Sequence, residues 1–220
     1  MLYIVSTPIG NLEDITLRAL RALREVDLIA AEDTRHTHIL LQKYDIKTPL
    51  TSFHSYSTDA KLESIVNELK NGKEVALVSD AGTPGISDPA YSLIRRAIEE
   101  GVKIVPIPGA SALLAAIVTS GLPMDKFVYL GFLPLKKGRQ TLLKSLQNEE
   151  RTLVIYESPH RLVKTLEHLK EYLGDREIAV CRELTKIFEE TLRMNISSAI
   201  EHFTRKKPKG EFVLVVKGAK

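Results

Sequence analysis

Short apolar segments alternate with helical patterns through the first half of the chain, and this alternation restricts the possible fold more than any other feature. The segments with strand character are residues 2–6, 28–31, 75–79 and 102–107. The clearest helical pattern has apolar residues at i, i+3, i+4 and i+7, namely Leu62, Ile65, Val66 and Leu69. Alternation of this kind predicts an α/β domain in which helices cover a mostly parallel sheet.

The pattern changes after residues 121–125, which contain Gly, Pro and Asp and interrupt the alternation. Beyond them the strand-like segments are more frequent, at residues 127–130, 153–156, 178–181, 187–193 and 212–216. Helical patterns cover residues 140–147 and 159–173. We therefore predict two α/β domains, residues 1–121 with a mostly parallel sheet and residues 122–220 with a mixed sheet.

Composition is typical of a packed protein outside the membrane. Hydrophobic residues make up 44% of the chain, and charges or glycines interrupt every long apolar segment. The N-terminal segment lacks the basic residues and cleavage site of a secretory signal, which predicts a cytoplasmic location. The single cysteine, Cys181, excludes an internal disulfide. No His-x-x-His, His-Glu-x-x-His or acidic calcium-loop motif is present, so we expect no metal site.

Basic residues form three local clusters, although the net charge of +3 is too small to establish nucleic-acid binding. The clusters are Arg18, Arg21 and Arg24; Lys136, Lys137 and Arg139; and Arg205, Lys206, Lys207 and Lys209. Any one of them is explained as solvated surface. The three together are consistent with a polyanionic substrate.

Residues 79–89 read as a ligand-binding loop, because they are rich in Gly, Pro and Asp and directly follow the apolar residues 75–78. Asp80 is similar to the nucleophile of phosphatases that form an aspartyl phosphate. The second carboxylate of those enzymes is absent, since Gly82 occupies its position. Asp80 is therefore expected to accept hydrogen bonds from a ribose or an ammonium group, or else to cap a turn.

Two further loops also follow predicted strands. Residues 6–11 lead into a helix that begins near Glu13 and Asp14, whose carboxylates would repel a pyrophosphate. Residues 108–112 combine Pro, Gly and small side chains, which let a ligand approach the backbone N–H groups, although Ser111 is also explained as a helix cap. The two glycine-containing loops at residues 79–89 and 108–112, together with the carboxylate of Asp80, indicate a nucleoside-type ligand.

Charged side chains also follow two other predicted strands, at residues 32–36 and 156–161. Helix capping explains Thr34, Ser158 and Pro159. It does not explain the basic side chains in these segments, which are candidates for contacts with phosphates or with a base.

The complete set of motifs resembles the ribosomal RNA small subunit methyltransferase I family, a branch of the tetrapyrrole methylase superfamily. The resemblance rests on residues 6–12, 31–35, 79–85, 108–111, 131–134, 156–161 and 210–212. It implies a two-domain enzyme, usually a homodimer, that binds S-adenosylmethionine in the cleft between its domains. The implied reaction is methylation of a cytidine ribose 2'-hydroxyl in the decoding region of 16S ribosomal RNA.

The resemblance also implies roles for individual residues. The expected cofactor contacts are Pro8, Asp80, Ala81, Gly82, Thr83, Ser111 and Ala112, with Phe132, Leu133 and Tyr156 in the second domain. The expected RNA contacts are Glu32, Arg35, His54, His160 and Arg161, and the candidate general bases are Asp33 and Glu157. Two alternatives remain at this point: methylation of a tetrapyrrole precursor, and noncatalytic RNA binding on a methylase scaffold.

Overall fold

The computed structural model describes residues 1–88 and 90–219. The chain forms two compact units, Met1–Ser111 and Ala112–Lys220. Each unit is built around its own five-stranded sheet. The proposed domain boundary between residues 121 and 122 stays a prediction.

The first unit is an α/β structure with an entirely parallel sheet. Its strands are β1 (Leu2–Val5), β2 (Leu28–Ala31), β3 (Leu50–Ser52), β4 (Val75–Val78) and β5 (Ile104–Ile107). Its helices are α1 (Leu17–Glu25), α2 (Thr34–Lys43), α3 (Asp59–Lys70) and α4 (Ala90–Glu99), and a 3-10 turn spans Leu12–Asp14. The strand order is β3-β2-β4-β1-β5, and every pairing is parallel, which confirms the predicted sheet.

Helices pack on both faces of this sheet, so its central strands are buried on both sides. All four residues of β4 are buried, as expected for a central parallel strand. Helices α1 and α2 contribute to one apolar cluster, and α3 and α4 contribute to the other. In α1 the hydroxyl of Thr16 accepts a hydrogen bond from the Ala19 N–H and caps the helix. The three arginines of α1 lie on its exposed face, as solvated surface.

The second unit contains a mixed sheet, which also confirms the prediction. Its elements are α5 (Ala112–Ser120), β6 (Phe127–Phe132), α6 (Arg139–Ser145), β7 (Thr152–Glu157), α7 (Leu162–Leu173), β8 (Glu177–Arg182), β9 (Glu190–Asn195), α8 (Ile196–Arg205) and β10 (Phe212–Val216). The strand order is β6-β7-β10-β8-β9. Only β6 and β7 pair in parallel, and the other three pairings are antiparallel.

Helices α6, α7 and α8 bury their apolar faces in a cluster on one side of this sheet. Helix α5 packs against β8, β9 and β10, and the buried thiol of Cys181 lies 3.8 Å from the Ala116 carbonyl oxygen. Within residues 1–88 and 90–219, no helix is long and apolar enough to span a bilayer.

Candidate active site

Four loops of the first unit meet at the carboxyl edge of the parallel sheet. They follow β1, β2, β4 and β5, and these strands are consecutive in the order β2-β4-β1-β5. Ligands of open α/β sheets bind at this edge. The predicted motifs at residues 6–11, 32–36, 79–89 and 108–112 are therefore brought together, except that Pro89 lies outside the described residues.

Hydrogen bonds join the loop after β1 to the loop after β4. The Thr7 N–H donates to the Gly82 carbonyl at 2.9 Å, and the Gly82 N–H donates back to the Thr7 carbonyl at 3.0 Å. The hydroxyls of Ser6 and Thr83 lie 2.8 Å apart. Gly82 has a φ of +81°, a left-handed conformation that favours glycine. The backbone of both loops is thereby fixed before any ligand binds.

The loop after β5 approaches the first loop so closely that only glycine fits. A Cβ atom on Gly109 would lie 2.9 Å from the Ser6 Cβ and 3.4 Å from the Ser6 carbonyl oxygen. A Cβ atom on Gly82 would lie 3.8 Å from the Ala110 carbonyl oxygen. Three loops consequently present backbone groups at one place with few side chains between them. Pro8 is buried beside them, and Ser111 ends this unit where the chain enters α5.

Asp80 connects this group of loops to the loop after β2. Its Oδ1 accepts a hydrogen bond from the Asp33 N–H at 2.9 Å, and its Oδ2 lies 3.5 Å from Nδ1 of His36. The Asp80 N–H in turn donates to Oε2 of Glu32 at 3.4 Å. The Asp80 side chain is 38% exposed, so its carboxylate is held in place and still accessible to a ligand.

The two acids after β2 have pKa values shifted in opposite directions. The Asp33 carboxylate accepts hydrogen bonds from the guanidinium and the backbone N–H of Arg35, which hold its pKa far below the ordinary value. Burial raises the pKa of Glu32, and the charge of Asp80 raises it further, against the hydrogen bond from the Asp80 N–H. Asp33 also caps α2. At neutral pH Asp33 is therefore the weaker proton acceptor of the two.

The remainder of the loop after β4 is organised by Asp88. Its carboxylate accepts the Gly85 N–H at 2.8 and 2.9 Å and the Ala90 N–H at 3.0 Å, which fixes the loop to the start of α4. His54 lies in the exposed loop after β3, where its Nδ1 accepts a hydrogen bond from the Tyr56 N–H. In the same loop after β4, Ala81 is exposed and Thr83 is half-buried.

In the second unit, Tyr156 belongs to an aromatic cluster. Its ring lies edge-on to Tyr129, with centroids 5.2 Å apart, and to Phe132, with centroids 5.7 Å apart. Its hydroxyl accepts the N–H of Leu113 near the start of α5, and burial raises the pKa of the phenol. The Phe132 side chain is 54% exposed. Leu133 is buried in the core of this unit, and its carbonyl already accepts a hydrogen bond from Arg161, so its contact with a ligand stays a prediction.

Glu157 lies in a buried polar network. Its carboxylate accepts hydrogen bonds from the Ser158 N–H and the Thr165 hydroxyl, and Nε of Arg161 lies 3.4 Å away. The Glu157 side chain has no exposed surface, and Arg161 donates to the Leu133 carbonyl. This enclosure gives Glu157 and Arg161 a role in holding loops together. Their assignments as base and RNA contact stay predictions, as does that of the exposed His160.

Arg139 completes this network, and sequence reasoning missed it. The expectation that it belongs to a basic surface cluster with Lys136 and Lys137 is wrong, because the residue is only 5% exposed. Its guanidinium donates to the Thr165 hydroxyl at 2.8 Å, to Nδ1 of His168 at 3.0 Å and to a backbone carbonyl. A buried guanidinium requires such partners.

Within the described part of the chain, no group of three or more His, Cys, Asp or Glu side chains is arranged to hold a metal ion.

Comparison with known proteins supplies an independent line of information. The family model for tetrapyrrole (corrin/porphyrin) methylases matches residues 1–200. A ribosomal RNA small subunit methyltransferase I from Thermotoga maritima is 53% identical over 99% of this chain and 98% of its own length. The protein of the same name from Synechocystis sp. is 52% identical over 100% of this chain and 79% of its own length.

Solved structures share the architecture at much lower sequence identity. A crystal structure of diphthine synthase matches with a TM-score of 0.78 at 16% identity, covering 99% of this chain and 89% of its own. At this level of identity the likeness concerns the fold alone.

Proposed function

We propose that this chain, which belongs to the tetrapyrrole methylase family, methylates the ribose 2'-hydroxyl of a cytidine in the decoding region of small-subunit ribosomal RNA. It is an S-adenosylmethionine-dependent methyltransferase. The observation that carries the assignment of the site is the meeting of four strand-end loops around the accessible carboxylate of Asp80.

The donor groups of this edge suit S-adenosylmethionine, which supplies an electrophilic methyl group on a positively charged sulfur. The carboxylate of Asp80 can accept hydrogen bonds from ribose hydroxyls. The backbone of Ala81 and Thr83 is accessible to a ligand, and Gly82, whose N–H and carbonyl pair with Thr7, holds both residues in place. We propose these groups, with Pro8 and Ser111, as the cofactor contacts. The acids of this edge favour a cationic ligand over a pyrophosphate.

In the second unit Ala112, Phe132, Leu133 and Tyr156 remain proposed cofactor contacts. Of these, Phe132 offers an exposed aromatic face, whereas Leu133 is buried.

We propose Glu32 as the group that accepts the proton of the ribose hydroxyl. A general base works best when its pKa is close to the operating pH. The pKa of Glu32 is raised and that of Asp33 is lowered, so Glu32 is the better acceptor. As its carboxylate takes the proton, the ribose oxygen bonds to the methyl carbon, and the carbon–sulfur bond breaks with its electron pair left on sulfur. The protein holds the reacting atoms in line.

Isosteric substitutions distinguish the two acids. We expect E32Q to lower kcat by about 10²–10⁴-fold, the usual contribution of a general base, and to remove the acidic limb of the pH–rate profile. D33N retains a helix-capping side chain, and we expect it to keep that limb. An unchanged acidic limb in E32Q would exclude Glu32 as the base.

Arg35 and His54 are our proposed RNA contacts in the first unit, because both lie exposed after neighbouring strands. RNA sequence is usually read from unstacked bases together with phosphate contacts, which suits exposed guanidinium and imidazole groups. We further propose that the chain acts in the cytoplasm as a homodimer, the assembly that the family resemblance of its motifs implies.

Methyl transfer to the RNA of purified small ribosomal subunits tests the proposal. The chain is incubated with radiolabelled S-adenosylmethionine and small ribosomal subunits from cells that lack it, and labelled nucleosides are then separated. We expect label in 2'-O-methylcytidine, a marked loss of label in D80A, and no loss in D59A, whose carboxylate lies at the exposed start of α3. Label in another nucleoside, or equal activity of D80A and D59A, would contradict the proposal.

A further inference from the structure

A basic pocket lies in the second unit, where the end of α8 and the following loop pass the last residue of β8 and the first residue of β9. The cavity has a volume of about 330 Å³. Its polar lining residues are Arg182, Glu190, His202, Lys206, Lys207 and Lys209. None of them belongs to the candidate active site or to the buried network around Glu157.

Positive charge exceeds negative charge in the basic pocket. Arg182 donates from Nε to the Lys209 carbonyl at 2.6 Å, which ties the loop to β8, and its Nη1 lies 3.8 Å from Oε2 of Glu190. Lys206, Lys207 and Lys209 are exposed, and their ammonium groups form no ion pair with any carboxylate of residues 1–88 and 90–219. Glu190 thus offsets one of four cations, which favours an anionic ligand.

His202 supplies a second, independent observation. Its Nε2 is buried and has no hydrogen-bond partner among the described residues. The ring is held edge-on to Phe203, with centroids 4.8 Å apart, and Phe203 packs in turn on Phe212. Buried polar atoms are nearly always hydrogen-bonded, so an unpartnered nitrogen on a side chain that lines a cationic cavity indicates a ligand that this nitrogen reaches once the ring turns toward the cavity. A neutral imidazole N–H can donate to a phosphate oxygen.

We propose that the basic pocket binds a phosphate group of the RNA substrate. In this proposal His202 donates a hydrogen bond to a phosphate oxygen, and the three lysines neutralise the charge of the RNA phosphates. The inference rests on the proposed function and adds a second RNA contact region to it. The three exposed ammonium groups of Lys206, Lys207 and Lys209 exceed the charge of about −2 that one free phosphate ion carries. This excess of positive charge favours a polyanion over a free phosphate ion.

Salt-dependent RNA binding tests the proposal. The variant K206Q/K207Q/K209Q is compared with K144Q/K164Q/K170Q, which removes the same charge from exposed lysines of α6 and α7. The probe is a fluorescent single-stranded RNA with the decoding-region sequence. The slope of log K against log salt is negative, and each lost contact with single-stranded RNA makes it less steep by about 0.7. Three lost contacts therefore reduce its steepness by about 2 and weaken binding about 100-fold near 0.1 M salt. We expect little change in the control.

H202A separates a hydrogen bond from a charge effect. We expect it to weaken RNA binding about fivefold, the effect of one typical hydrogen bond, while the salt slope stays unchanged. Competition by inorganic phosphate should require far higher concentrations than competition by RNA. Competition at equal concentrations would identify a free-phosphate site instead.

The outcomes separate this inference from the proposed function. If the wild type methylates the RNA and both triple variants bind it alike, the basic pocket is not an RNA site although the function stands. If the wild type binds S-adenosylmethionine but neither binds nor methylates the RNA, both proposals fail. A raised KM for RNA with unchanged kcat in the pocket variant supports the inference.

Discussion

Adding one methyl group at Gly109 should disrupt the cofactor site. The Cβ atom of alanine would lie 2.9 Å from the Ser6 Cβ, whereas carbon atoms pack at about 3.5–4.0 Å. The loop after β5 must therefore move by roughly 1 Å relative to the loop after β1. The Ser6 hydroxyl cannot follow freely, because it lies 2.8 Å from the Thr83 hydroxyl.

The magnitude follows from these contacts. Overpacking of this kind costs about 1–3 kcal/mol, and loss of the contact between the Ser6 and Thr83 hydroxyls would add about 1 kcal/mol. In a chain of this size we expect G109A to lower Tm by roughly 4–16 °C. Because the displaced loops carry the proposed cofactor contacts, its affinity for S-adenosylmethionine should fall at least about tenfold, which corresponds to about 1.4 kcal/mol.

Calorimetry checks both quantities, and G101A is the matched control. Gly101 has a φ of +72° with no atom within 4 Å of its Cβ position, and it lies between α4 and β5, away from the carboxyl edge. Alanine there is strained by about 1 kcal/mol or more, so it should lower Tm without weakening cofactor binding. If G109A binds S-adenosylmethionine like the wild type, or if G101A weakens binding equally, the reasoning about close loop approach is refuted.

Three further predictions concern pH, the buried network and the cysteine. The pKa of Asp33 is lowered in the folded state, so the stabilising contribution of its carboxylate is complete above about pH 4 and is lost as the pH falls through the lowered pKa. The variant R35A should therefore lose less unfolding free energy on acidification than the wild type. An equal loss in the two proteins would contradict this. R139L removes the donor to the buried Thr165 hydroxyl and to Nδ1 of His168 and should destabilise the chain by about 2–6 kcal/mol in urea titration, about 1–3 kcal/mol for each group left unpaired; a stability within about 1 kcal/mol of the wild type would exclude a structural role for Arg139. Burial raises the pKa of the Cys181 thiol, which should react with a thiol reagent only after unfolding, and rapid labelling of the native chain would contradict its burial.

Most of the fold was predictable because strong periodic patterns coincide with buried elements. β4 is apolar throughout and is buried on both faces, so its sequence alone predicts a central parallel strand. β3 was missed because it has only three residues, of which two are half-buried and one is exposed. β9 begins at Glu190 although alternation starts at residue 187, since Glu183 and Thr185 adopt left-handed φ values of +49° and +66° in the preceding turn.

The position of the candidate site was predictable, but its internal contacts were not. Parallel strands bring their carboxyl ends to one edge, so the loops at residues 6–11, 79–89 and 108–112 were expected to converge. The hydrogen bond from Asp33 to Asp80 depends on β2 lying beside β4, and local sequence does not specify strand order. The raised pKa of Glu32 follows from burial in this same tertiary arrangement, whereas the lowered pKa of Asp33 follows from its local hydrogen bonds with Arg35.

Burial of the polar network in the second unit was also beyond sequence reasoning. Arg139 stands next to lysines in the chain and is typical of a basic surface. Its partner Thr165 is 26 residues away and is brought to it by the packing of α6 against α7. Only the three-dimensional contact distinguishes a buried guanidinium from an exposed one.

Mass spectrometry of ribosomal RNA from cells with and without this protein tests the central claim most directly. Small-subunit RNA is digested to oligonucleotides, and ribose methylation is mapped across the decoding region. We expect one cytidine to lose its 2'-O-methyl group in the deletion strain and to regain it when the wild-type chain, but not D80A, is supplied. An unchanged methylation pattern in the deletion strain would contradict the account.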